Sequence, residues 1–436
     1  MSEIPRRPAQ RTARLASLPL GAAGRVAAGW GKRLTGRSSQ EINAEISART
    51  AEQVFAVLGE LKGGAMKFGQ ALSVFEAAIP DQLAAPYREA LTKLQTAAPP
   101  LPPGVVHRVL DEQLGTGWRH RFGAFSDEPS AAASIGQVHR AVWHDGREVA
   151  VKVQYPGADE ALRSDLRQLQ RFSRLFQALV PGLEVKPLLA ELQDRMVEEL
   201  DYRREADNQR AFAAAYAGDP EIAVPGVLAS APKVLVSEWV TGTPLSSIIR
   251  SGTTHERDDI GRLLTEFHFS APQRARLLHA DPHPGNFLRL PDGRLCVLDF
   301  GAAARLPDGA PPTLGRAARL AVEDRPGELL DLLRADGFVR PGTELRAEDV
   351  LAYLAPLSEP LRTETFHFTR AWMLAQAERV GEWGSPDFRT GRALNLPRHY
   401  LLIHRVSTGS MGILCQLDAT VAFRGIARRW QPGFAD

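Results

Sequence analysis

Asp281 and Asn286 stand five positions apart in His279-Ala280-Asp281-Pro282-His283-Pro284-Gly285-Asn286, and Asp299-Phe300-Gly301 begins thirteen positions later. These residue types at this spacing suit phosphoryl transfer. Asp281 would accept or orient the proton of the attacking group, while the Asn286 amide oxygen and the Asp299 carboxylate would hold Mg²⁺ against nucleotide phosphates. An isolated Asp beside a turn is most often only a turn former or a cap. Here the intervening chain reads as a hairpin: an apolar strand at 287–290, the turn Pro291-Asp292-Gly293, and an apolar strand at 294–298. Such a hairpin would return both magnesium ligands to one place.

A phosphate-binding cation has a candidate upstream. Residues 131–143 read as a strand, His144-Asp145-Gly146 as a turn, and Glu148-Val149-Ala150-Val151-Lys152-Val153-Gln154 as the next strand. Val-Ala-Val-Lys after such a turn matches the nucleotide-covering half of a kinase N-terminal lobe, with Lys152 on the α- and β-phosphates of ATP. Strand lysines usually face solvent. This chain, however, has seven lysines against forty-six arginines, so a Lys inside a motif suggests a compact ammonium is needed. Val151 and Val153 point away from Lys152 by the two-residue period, which occupies both faces of the strand if Lys152 faces a cleft. A mobile ammonium also needs a carboxylate to hold it.

The loop over the phosphates departs from the usual glycine-rich form. It reads Ala131-Ala132-Ala133-Ser134, with only Gly136 near it, and alanine adopts positive φ at a cost, so the loop should be stiff. No Gly-x-x-x-x-Gly-Lys-Ser/Thr occurs, which excludes a Walker-type nucleotide site. Val234-Leu235-Val236-Ser237-Glu238-Trp239-Val240 reads as a buried strand entering a hinge. Backbone groups at Glu238 and Val240 would meet the adenine ring, and Trp239 reads as core.

The rest of the chain must carry these groups. Its 436 residues, 44% hydrophobic and 24% charged, suffice for two lobes and an extension. A formal charge of +2 argues against nucleic acid as a partner. Two cysteines, Cys296 and Cys415, make neither a disulfide framework nor a zinc site, and a reducing cytoplasm is the expected compartment. The arginine bias suggests a high-GC bacterial genome. No run approaches about eighteen uncharged apolar residues, so no membrane-spanning helix is expected.

Residues 1–40 carry Arg6, Arg7, Arg11, Arg14, Arg25, Lys32, Arg33 and Arg37 against Glu3 alone. A basic segment resting on the inner face of an anionic membrane, a transit peptide and a frayed terminus all fit this pattern. Helical periodicity follows at 40–62, again around Lys67 and Gln70, and at 84–95. The run Ala98-Pro99-Pro100-Leu101-Pro102-Pro103 marks a linker. The expected organisation is a basic segment (1–40), a helical extension (41–103), an N-terminal lobe with inserted helices (104–240) and a mostly helical C-terminal lobe (241–436).

Taken in order along the chain, these motifs resemble the UbiB family of atypical kinases, also called AarF or ADCK. Lys67-Phe68-Gly69-Gln70 is similar to its Lys-x-Gly-Gln signature, Ala131 to Ser134 to its alanine-rich loop, and Glu199-Leu200-Asp201 to its Glu-x-Asp signature. The resemblance implies an α+β, two-lobed protein-kinase-like fold with the helical extension packed over the cleft. It implies that Glu205 pairs with Lys152, that a further helix lies at 159–179, and that Lys67 and Gln70 form a gate with Glu199 and Asp201. Glu199 and Asp201 would face different sides of a straight helix, so either the helix bends near Leu200 or the two carboxylates do separate work. No Ala-Pro-Glu or peptide-docking segment follows Gly301. The implied activity is that of an ATP- and Mg²⁺-using kinase or ATPase serving quinone or isoprenoid lipid metabolism. The alternatives are a nucleotide-switched lipid-binding module and a conventional protein kinase. ATP and ADP, a lipid or isoprenoid molecule, and a peripheral membrane surface are the implied partners; oligomeric state is left open.

Overall fold

The structure, a computed structural model, describes residues 100–133, 135–158, 160, 200–381 and 384–435. The helices expected at 40–62, around Lys67, at 84–95 and at 159–179 lie outside the described residues, as do Ser134, Glu199 and the basic segment. Helix α1 (Pro103–Leu114) starts where the proline run ends, with proline in its first turn, where no backbone N–H is required.

The N-terminal lobe is a five-stranded antiparallel sheet. Its strands are β1 (Phe122–Ala133), β2 (Gly136–Trp143) and β3 (Glu148–Gln154), joined by β5 (Val227–Ala231) and β6 (Val234–Glu238) in the order β1-β2-β3-β6-β5. Val149, Val151 and Val153 bury one face against Val106, Val109 and Leu110 of α1. On the opposite face, Leu235 packs with Tyr202 and Ala206 of α2 (Tyr202–Ala215). The chain at 131–143 is therefore two strands, not one: it reverses after Ala133, and Ala131 pairs with Val138. The single glycine at this reversal, Gly136, is required because a Cβ there would collide with the carbonyl oxygen of Val153.

Between the lobes, β4 (Ile222–Ala223) leaves the first sheet's neighbourhood and pairs in parallel with β10 (Leu295–Val297). β10 also pairs antiparallel with β9 (Phe287–Arg289), and β9 pairs with β7 (Thr243–Pro244). The hairpin expected at 287–298 is thus present, with Gly293 at φ 91° in its turn. Helix α3 (Leu245–Ser251) leads to α4 (Thr254–Arg274), whose start is fixed by a capping box between Thr253 and Glu256. β8 (Leu277–His279) pairs with β11 (Ala303–Arg305), which brackets the 287–298 hairpin.

The C-terminal half is helical: α5 (Pro312–Val322), α6 (Pro326–Ala335), α7 (Ala347–Ser358), α8 (Arg370–Gly381), α9 (Pro386–Ala393), α10 (Arg398–Leu417) and α11 (Phe423–Trp430). Its main core joins Phe212, Phe267, Phe287 and Phe300 to Ile413 and Leu414. Cys296 and Cys415 are buried, and burial pushes both thiols up to about 12, which suits core residues rather than nucleophiles. No helix among the described residues is long and apolar enough to cross a membrane.

Buried in this core, His268 makes the fold sensitive to acid. Burial, reinforced by nearby His279, pushes its pKa down to about 3, and its Nδ1 lies 3.2 Å from the Ser410 hydroxyl. The unfolded chain binds a proton below about pH 6.5 that the folded chain refuses, so His268 supports stability above that pH and withdraws support as pH falls toward its folded value. Between pH 7 and pH 5 this group alone should remove about 2 kcal/mol. Urea unfolding at the two pH values should show His268→Leu losing about that much less than the parent chain. Equal losses would show that His268 does not titrate on unfolding.

Candidate active site

Lys152, Glu205 and Asp299 meet in the cleft between the lobes. Lys152 Nζ donates to Glu205 Oε1 at 2.7 Å and Oε2 at 2.9 Å, and lies 3.4 Å from Asp299 Oδ2. Burial alone would lower the Lys152 pKa. The Asp299 and Glu205 carboxylates outweigh it and hold the ammonium well above its usual range. Lys152 therefore remains a cation at any physiological pH. It faces the cleft from mid-sheet, paired with Val138 on β2 and Leu235 on β6, while its valine neighbours fill the far face. Because Val138 also pairs with Ala131, the alanine loop stands in register with Lys152 one strand further out.

Helix α2 supplies the partner. Asp201 caps it, in extended conformation, by accepting a hydrogen bond from the Arg203 amide at 3.0 Å. The Arg203 guanidinium beside it helps to hold its carboxyl below the usual range. Asp201 is thus outside the helix, so the question of a bend near Leu200 becomes a capping event. Glu205 falls one turn in and is 5% exposed. On the same face, three and seven positions later, Asn208 Nδ2 donates to the Phe300 carbonyl at 3.0 Å and Phe212 packs on the Phe300 ring at 5.1 Å. One helix face therefore fixes both the lysine and the Asp-Phe-Gly turn. Asn208, and Tyr202 whose ring lies 5.0 Å from the ammonium, are site residues that the motifs alone do not reveal. The i, i+3, i+7 spacing from Glu205 was the available signal.

The chain from Asp281 to Gly301 is tied to itself by hydrogen bonds to its main chain and side chains. Asn286 Nδ2 donates to the Asp281 carbonyl at 3.0 Å, the His283 amide donates to the same oxygen at 2.8 Å, and the Leu298 amide donates to the Asn286 carbonyl at 2.9 Å. Asp299 Oδ1 accepts from the Gly301 amide at 2.9 Å, and the buried His279 bonds the Asp299 carbonyl through Nε2 at 2.7 Å. The Asn286 amide nitrogen is committed, and its oxygen accepts no hydrogen bond among the described residues. One carboxylate and one amide oxygen fit a hard cation that takes its remaining ligands from phosphates and water. They would not suit a thiophilic metal.

The hinge groups lie at the other end of the sheet. Glu238 accepts from the Gly226 amide at 2.8 Å, and the Trp239 amide donates to the Glu148 carbonyl at 3.0 Å. Val240 follows beyond the end of β6. Trp239 is only half-buried, beneath the Arg140 guanidinium at 5.3 Å, which corrects its reading as core. Lys67, Gln70, Glu199 and Ser134 lie outside the described residues, so of the expected gate only Asp201 is placed.

Comparison with known proteins places the chain in a family. Residues 93–317 match the ABC1 atypical kinase-like domain. The atypical kinase COQ8B of Danio rerio is 32% identical over 317 residues, covering 69% of this chain and 49% of its own length. The Caenorhabditis elegans atypical kinase coq-8 is 28% identical over 408 residues, 91% of this chain and 53% of its own. The chain thus spans about half the length of the curated relatives it matches. The structure of Mycobacterium tuberculosis Rv3197 in complex with erythromycin is 52% identical, covers 92% of this chain and all of that one, and superposes with a TM-score of 0.70. With its buried Lys152–Glu205 pair and matched domain, the chain belongs to the ABC1 atypical kinase-like family, the UbiB group that its motifs resemble.

Proposed function

We propose that the cleft binds ATP with Mg²⁺ and cleaves the γ-phosphate or transfers it to a non-protein acceptor in quinone or isoprenoid lipid metabolism. The observation that carries this reading is Lys152 held by Glu205 and within 3.4 Å of Asp299, a cation poised between a positioning carboxylate and a metal-ligand carboxylate. Lys152 orients the α- and β-phosphates, and Glu205 fixes its position. Backbone groups at Glu238 and Val240 receive the adenine, and Ala131, Ala132, Ala133 and Ser134 cover the phosphates. Asn286 and Asp299 are the residues that hold Mg²⁺, which when bound neutralises charge on the phosphate oxygens. Asp281 orients the acceptor hydroxyl or water and takes up its proton.

A small acceptor is favoured because alanines stand where the usual phosphate loop has glycines and no peptide-docking segment follows Gly301. Lys67 and Gln70, with Glu199 and Asp201, are proposed to close the cleft against polypeptides. The Mycobacterium tuberculosis relative solved with erythromycin supports a bulky small molecule as the second ligand.

The test is ATP turnover by purified protein, with and without vesicles containing anionic lipid, followed by mass analysis of extracted lipids. Turnover with a phosphorylated lipid product supports the kinase form, and turnover yielding free phosphate alone supports the ATPase form. Nucleotide binding with lipid-dependent affinity and no turnover would instead favour a nucleotide-switched lipid-binding module. Efficient phosphorylation of generic peptides would overturn the non-protein acceptor.

A further inference from the structure

Away from the nucleotide cleft, between α5, α11 and the chain that follows α11, a cavity of about 250 Å³ is lined by Arg319, Val322, Glu323, Arg424, Arg428 and Phe434. Its walls are firmly built. Residues 431–434 lie directly on α5, so close that a Cβ on Gly315 would collide with the Pro432 carbonyl oxygen. Gln431 Nε2 also donates to the Pro311 carbonyl at 3.3 Å. On its other side α11 is fixed to α4, because Glu266 accepts from Arg429 at 2.9 Å and from the Trp430 indole at 2.6 Å. Arg424 and Arg428, four positions apart, share the face of α11 that lines the cavity.

The charge around this cavity is unbalanced. Neighbouring arginines have partners: Arg325 pairs with Glu323 and Glu328, Arg362 with Asp324, and Arg429 with Glu266. The one carboxylate in the lining, Glu323, is already engaged by Arg325 at 3.2 Å. Three guanidiniums in one concavity repel each other. A bound anion would offset that repulsion. The planar guanidinium fork matches phosphate oxygens, whereas Val322 and Phe434 offer an apolar wall. At about 250 Å³ the cavity falls just below the usual range of about 300–1,000 Å³ for small-molecule sites, so it suits a head group rather than a nucleotide.

We propose that this cavity is a second ligand site that takes a phosphate monoester carried on an apolar stem. The phosphate comes either from a soluble phosphorylated molecule or from the monoester head group of a lipid such as phosphatidic acid. The proposal does not depend on the nucleotide reading of the cleft.

The experiment is calorimetric titration of the full chain with hexyl phosphate and with inorganic phosphate, in the parent protein and in Arg428→Gln, Arg319→Gln and Lys152→Ala. Arg428 is exposed, so its replacement should leave the melting temperature unchanged. If it does not, Arg428→Lys, which keeps the charge and loses the fork, replaces it. Hexyl phosphate should bind more tightly than inorganic phosphate, lose roughly tenfold or more in affinity in either Gln variant, and be unaffected by Lys152→Ala. Sedimentation with phosphatidic acid vesicles separates the sources. A loss of sedimentation in Arg428→Gln assigns the phosphate to a lipid head group. Sedimentation indifferent to Arg428, with hexyl phosphate binding still dependent on it, assigns it to a soluble molecule. Absence of hexyl phosphate binding, or binding that ignores both Arg428 and Arg319, overturns the site.

Discussion

An Asp281→Asn protein is expected to bind ATP nearly as well as the parent chain and to turn it over roughly 10²- to 10⁴-fold more slowly. The substitution preserves shape and removes the proton acceptor. It should not disturb the hairpin, because Asn286 Nδ2 and the His283 amide both bond the main-chain carbonyl of residue 281, not its carboxylate. A loss confined to kcat is therefore the signature of a group acting on the nucleophile. Asp299→Asn should behave differently. Its carboxylate is the proposed metal ligand and also lies 3.4 Å from Lys152, so nucleotide affinity in the presence of Mg²⁺ should fall along with turnover. Turnover retained in Asp281→Asn would remove Asp281 from the chemistry. Identical affinity losses in the two variants would show that they share one role.

How much of this site can be read from the chain depends on sequence distance. The spacing of Asp281, Asn286 and Asp299 stands out because it frames a single hairpin with an Asp-Gly turn, and the structure forms that hairpin. Lys152 is legible from the strand alternation around it, with Val151 and Val153 on the buried face. Glu205 is harder. It lies 53 positions from its lysine, and only the family resemblance, not periodicity, points to it. β1 escapes because its pairing with β2 shifts register three times and most of its residues are exposed, so it never shows clean alternation. The sequence pattern places Asp201 inside a helix because capping depends on backbone conformation, and spacing alone does not show that. The arginine cavity is invisible for a different reason. Arg319 and Arg428 are more than a hundred positions apart, and what distinguishes them is that their neighbours have carboxylate partners, which is a property of the packed chain.

Lys152→Met should both destabilise the protein and abolish turnover, and the two effects can be separated. Lys152 is 16% exposed and Glu205 is 5% exposed, so removing the ammonium takes from a buried carboxylate the positive charge that Lys152 gave it. Breaking such a pair from one side costs about 3–5 kcal/mol. The Lys152 ammonium is held above its usual pKa, so the pair contributes fully below the unfolded lysine value of about 10.4 and is lost only as pH rises through the folded value. The parent pair is therefore intact at both pH 6 and pH 8, unlike the support from His268. Adding Glu205→Leu to Lys152→Met removes the stranded carboxylate and should return much of the lost stability, since apolar replacement of a whole buried pair is often close to neutral. Turnover should stay absent, because neither substitution restores a cation for the phosphates. A double variant as unstable as Lys152→Met would mean that the cost comes from Asp299 or from lost contact with the Tyr202 ring, 5.0 Å from the ammonium. A stable double variant that still turned over ATP would show that the Lys152–Glu205 pair holds the lobes together without taking part in the chemistry.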